Sequence, residues 1–150
     1  MFGHDELAGM VDTFGALDRA ELEQACSETA FRRGEEFDED AVETAIDDAI
    51  EGYALVEYDG RLVSGPAAFP TLPDGAEDLP HILDVERRDV SREAVASAVA
   101  ERFEREVHEA ILTGDEAACA DLLDLSYEVE SWGPVALGNA RDRLDAELDS

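Results

Sequence analysis

The chain has 150 residues, 39 acids against 11 arginines with no lysine, and a formal net charge of −28. This length and an apolar share of 45 % allow a buried core and exclude wholesale disorder. No apolar run approaches the ~20 residues of a bilayer span, and Asp5, Glu6, Asp12 and Asp18 fall where a signal peptide needs apolar residues, so a cytoplasmic chain without membrane contact is expected.

Leu7, Met10, Val11 and Phe14 recur at i, i+3, i+4 and i+7, which predicts a first helix over about 5–14, stopped by Gly15. Asp18 and Glu21 have the spacing of a capping box, in which each side chain satisfies an orphan backbone donor at a helix start. Leu22, Ala25, Cys26, Thr29 and Ala30 then continue one face of a second helix over 19–33. Asp40 and Glu43 repeat the box spacing. Val42, Ala45, Ile46, Ala49, Ile50 and Tyr53 form the apolar stripe of a third helix over 40–51. Tyr53–Tyr58 and Arg61–Ser64 read as strands, and Asp59-Gly60 supplies the two positive-φ positions of a type I′ hairpin turn.

GPAAFPTLPDGAEDLP, residues 65–80, holds four of the five prolines and predicts an extended linker. Phe69, Leu72 and Leu79 are expected to pin it to the body of the protein. Residues 81–89 read as irregular or as one short strand. Val95, Ala98, Val99, Phe103, Val107, Ala110 and Ile111 mark a long helix over 91–112. Asp115 is placed to cap a further helix over 115–131, although YEVESW (127–132) also alternates as a strand would. Gly133-Pro134 breaks the chain, with Pro134 suited to the first position of a last helix that carries Leu137, Leu144 and Leu148. The fold class is therefore mainly α with a small β-hairpin. The boundaries run 1–65 for an N-terminal domain, 66–88 for a partly docked proline-rich linker, and 89–150 for a C-terminal helical region.

Little in this sequence carries chemistry. HEAIL at 108–112 begins like a zinc-protease helix but ends in Leu112, where the second histidine ligand would stand. The cysteines show no metal-ligand spacing, and Cys26 and Cys119 lie on apolar stripes as small hydrophobes. No phosphate-cradling glycine motif or nucleophile elbow occurs, and close carboxylate pairs arise by chance among 39 acids. No catalytic, cofactor or metal residue is assigned, and the chain is not expected to be an enzyme.

The succession of three helices and a hairpin resembles the winged helix-turn-helix family. In composition, the lysine-free acidity is similar to that of haloarchaeal cytoplasmic proteins, which work in molar salt. LDRAELEQACSETAFRRG (17–34) together with GPAAFP (65–70) resembles an uncharacterised haloarchaeal protein family with a winged-helix-like N-terminal domain. The winged-helix resemblance implies a third helix that reads the DNA major groove and a wing that touches the backbone. Carried onto this chain, the reading face is Glu39, Glu43, Thr44, Asp47, Asp48 and Glu51, and five of these six are acids. Phosphates would repel such a face.

Two functions follow as expectations. The first is a non-catalytic interaction or regulatory module that binds a protein partner or dimerises, with Phe69, Leu72 and Trp132 as docking residues. The alternative is a DNA-binding transcription regulator that contacts DNA through Arg32, Arg33 and Arg61.

Overall fold

The computed structural model describes residues 2–149, and seven helices and one hairpin are assigned among them. The chain divides into a first compact unit ending at Val90 and a second beginning at Ser91.

In the first unit, α1 (His4–Phe14) buries Leu7, Met10, Val11 and Phe14, all at most 2 % exposed. Burial of each such side chain contributes roughly 1.5–3 kcal/mol. α2 (Arg19–Arg32) starts at the predicted capping box: Asp18 accepts from the Glu21 amide at 2.8 Å, and Glu21 accepts from the Asp18 amide at 2.9 Å. α3 (Glu39–Glu51) turns Val42, Ile46 and Ala49 inward. Its cap is Asp38, not Asp40. Asp38 has extended backbone and accepts from the Ala41 amide at 3.1 Å, whereas Asp40 already lies within the helix. Replacing Asp38 by alanine should therefore cost about 1 kcal/mol, and Asp40→Ala should be close to neutral. A thermal melt of the two variants checks the assignment, and equal losses would count against it.

β1 (Leu55–Tyr58) and β2 (Arg61–Ser64) pair antiparallel, with Val56 opposite Val63 and Tyr58 opposite Arg61. The turn is as predicted, with Asp59 at φ 53° and Gly60 at φ 77°. β1 starts two residues later than the sequence suggests, because Tyr53 itself takes φ 65° and reverses the chain out of α3. A third extended piece joins the hairpin: Leu17, between α1 and α2, exchanges both backbone hydrogen bonds with Leu62 of β2, at 3.1 and 2.7 Å.

Residues 66–90 belong to the first unit. The Thr71 amide donates to the Asp5 carbonyl at 3.0 Å, and Ala76, Leu79 and Leu83 are buried in the same core cluster as Leu7 and Phe14. Leu79 thus pins the segment as expected, but Phe69 and Leu72 do not, since both point outward. In place of a strand within 81–89 there is one helical turn, α4 (Leu79–Ile82), followed by irregular chain. Burial of Leu79 and Leu83 at a spacing of four explains the helix, because that spacing puts both on one face.

The second unit is three helices packed pairwise. α5 (Arg92–Thr113) is capped by Ser91 and buries Val95, Val99, Phe103 and Val107, one residue per turn. α6 (Glu116–Trp132), capped by Asp115, is continuous through 127–132, so the strand alternative for YEVESW does not hold. Cys119, Leu122, Ser126 and Val129 face inward, a period that strand alternation cannot match. α7 (Gly138–Leu148) begins four residues beyond Pro134, which lies in a bend where the Val135 amide donates to the Gly133 carbonyl at 2.9 Å. The Leu137 amide donates to Glu130 at 2.7 Å, and Arg141 in the first turn pairs with that same carboxylate, so Glu130 fixes where the helix starts.

Candidate interaction surfaces

α3 turns its predicted reading face to solvent: Glu39, Glu43, Thr44, Asp47, Asp48 and Glu51 are all exposed. Glu39 and Glu43 also lie beside Glu23 of α2, with the three carboxylates within 4.8 Å of one another. Arg19 borders this acidic edge, 3.7 Å from Glu23 and 2.6 Å from Asp47.

The three arginines assigned to DNA contact stand in different surroundings. Arg32 pairs with Asp78 at 2.9 Å. Arg33 pairs with Glu35 at 3.0 Å, lies 4.0 Å from Glu6, and holds its guanidinium 5.7 Å from the centroid of the Phe2 ring. Such exposed pairs contribute only about 0–1 kcal/mol each, but they neutralise both charges locally. Arg61 opposes Tyr58 on the hairpin, and among the described residues no ion pair is made by it.

Arg87, Arg88 and Arg92 are long-range tethers, not the partners of nearby acids that their sequence neighbourhood suggests. Arg87 donates to the carbonyls of Asp12 and Thr13, at 3.1 and 3.0 Å, at the end of α1, where carbonyls run out of i+4 amide partners. Arg88 grips Glu21 with both terminal nitrogens, at 2.6 and 2.9 Å, and donates to the Ala16 carbonyl at 3.1 Å. That guanidinium is the main reason the Glu21 carboxyl is held below its usual range; the Asp18 amide and the Arg61 charge act in the same direction, against desolvation. In the second unit, Arg92 lies 4.7 Å above the Trp132 ring and donates to the Trp132 carbonyl at 3.0 Å.

The exposed apolar side chains are the other feature of the surface. In the first unit Phe31 and Phe69 are each 81 % exposed, Leu72 42 % and Phe37 36 %. Leu112 and Tyr127 are exposed in the second unit, where Arg141 sits 4.6 Å above the Tyr127 ring. Of the residues assigned to docking, Phe69 and Leu72 are therefore open, while Trp132 is half-buried beneath Arg92. Sequence reasoning missed Phe31. Its signal is legible in hindsight, since a phenylalanine that falls off the Leu22–Cys26–Thr29 stripe cannot face the core.

Neither cysteine thiol is activated as a nucleophile. Burial, followed by the charges of Glu23 and Glu6, pushes the Cys26 thiol up to about 12, and burial likewise raises Cys119. The protonated thiol is the less reactive form. His4, His81 and His108 are all exposed.

No helix among the described residues is long and apolar enough to cross a membrane. No curated protein and no solved structure matches the chain. A family model does match, over residues 5–149, and the chain belongs to that family, DUF7109, a family of unknown function.

Proposed function

We propose that the protein is a non-catalytic interaction or regulatory module, docking a protein partner or a second copy of itself, and that it operates in the cytoplasm at high salt. The carrying observation is that Phe31 and Phe69 stand exposed while Arg32 and Arg33 are already engaged on their own chain. Aromatic side chains are the groups that most often anchor protein interfaces. Arginines held by Asp78 and Glu35 would have to break those pairs before meeting a phosphate. The lysine-free surface, at a net charge of −28, is suited to a medium where the Debye length is ~3 Å.

A winged-helix-like reading of the first unit has support in the order of its elements and in the Leu17–Leu62 bridge, which joins the stretch between α1 and α2 to the two-stranded hairpin. On that reading α3 is the groove helix, and its exposed acids deprive it of that work. Arg61 favours the DNA alternative, because among the described residues it makes no ion pair.

The test is light scattering and affinity capture in molar KCl, with wild type beside a Phe31→Ser/Phe69→Ser double variant. Loss of a buried aromatic anchor should weaken association about thirtyfold. Equal association by both proteins would remove the aromatic surface from the account. A sequence-specific DNA shift in the same salt, abolished by Arg61→Ala, would replace it with the DNA reading.

A further inference from the structure

Residues 84–90 have no helix or strand of their own, yet they are fastened at several points to the turn between α1 and α2. The Arg88 amide donates to the Phe14 carbonyl at 2.7 Å, in addition to the side-chain bonds of Arg87 and Arg88 already described. The same turn carries Leu17, whose two backbone bonds fix β2 through Leu62. One carboxylate links the two arrangements. Glu21 caps α2 through the Asp18 amide and simultaneously holds Arg88, and the pair is largely sheltered, with the Arg88 and Glu21 side chains 26 % and 20 % exposed.

We propose that residues 84–90 form a latch, clasped by Glu21 and Arg88, whose closure holds the Leu17–Leu62 bridge and so fixes the hairpin to the α1–α2 turn. With the clasp closed, the chain leading to Ser91 is part of the first unit. With it open, residues 84–90 become a free tether, and the hairpin loses the Leu17 bridge while its packing on α1 and α3 remains. The two states differ by a discrete set of hydrogen bonds, which is what a bistable element requires. The latch does not depend on which partner the exposed aromatics bind.

Trypsin tests this directly, because Arg87 and Arg88 lie in the irregular strap while Arg19, Arg32 and Arg102 lie in helices. Glu21→Gln keeps an acceptor for the Asp18 amide and removes the charge that holds Arg88. Cleavage after Arg87 and Arg88 should rise about tenfold, with the helical sites unchanged. Exchange of the Leu17 and Leu62 amides should rise with it. Arg88→Met, which leaves the α2 cap intact, should give the same rise in cleavage after Arg87. Unchanged strap cleavage would overturn the clasp. Helical sites opening in step would show that the strap is no separate element, and unchanged Leu17 and Leu62 exchange would show that it does not hold the hairpin.

Discussion

Gly15→Ala is expected to cost the first unit about 4 kcal/mol, from backbone strain and a steric clash together. Gly15 ends α1 at φ +82°, a conformation that residues with a Cβ rarely adopt. A Cβ built there would also lie 1.9 Å from the Arg88 carbonyl oxygen, so the strap would have to lift or the turn would have to straighten. Lifting the strap sacrifices the Arg88 amide bond to Phe14 and exposes the carbonyls that Arg87 covers. Straightening the turn displaces Leu17 from Leu62. Gly34→Ala is the matched control. Gly34 has φ +67°, but nothing lies within 4 Å of the added carbon. It should lose only about 1–2 kcal/mol. Calorimetry in molar KCl reads both. At about 4–8 °C per kcal/mol for a domain of this size, the two melts should stand well apart. Equal shifts would mean that the turn yields without disturbing the strap.

The elements of the fold were legible where a local rule and the packing agreed. The α3 stripe, the Asp18–Glu21 box and the Asp59-Gly60 turn each have one physical solution, and the structure adopts it. Asp40 misled because two acids, Asp38 and Asp40, could each begin the helix. The choice between them falls to the backbone conformation of Asp38, which no spacing encodes. Arg88 was less legible still. Its nearest acids in sequence are neighbours by accident, and its partner Glu21 lies 67 residues away. The candidate surface was half legible for a related reason. Phe69 and Leu72 look like anchors in a proline-rich stretch, but Ala76, Leu79 and Leu83 of the same segment are the residues that join the core. Those residues could not be ranked before the path of the segment over α1 was known.

Lowering KCl from molar to about 0.1 M is expected to remove several kcal/mol of stability, a large part of the roughly 5–15 kcal/mol that holds a typical domain. The cause is the net charge of −28, whose repulsion extends over a Debye length of ~10 Å at 0.1 M against ~3 Å at 1 M. The α2–α3 edge gives this a local test. Glu23, Glu39 and Glu43 lie within 4.8 Å of one another, and Arg19 reaches Glu23 only at 3.7 Å. In water each carboxylate pair at that separation repels by about 0.9 kcal/mol before screening. Glu43→Gln removes two of the three repulsions. Its stability should therefore fall less between high and low salt than that of wild type, by about 0.5–1 kcal/mol. Glu57→Gln, on the exposed face of β1 and outside the cluster, supplies the comparison. Denaturant melts of the three proteins across the salt range decide the matter. If wild type holds the same stability from 0.1 M to molar KCl, its acids are accommodated without screening, and the proposed high-salt setting loses its physical basis. If wild type weakens but Glu43→Gln weakens as much, the repulsion is spread over the whole surface and the α2–α3 edge has no special share in it.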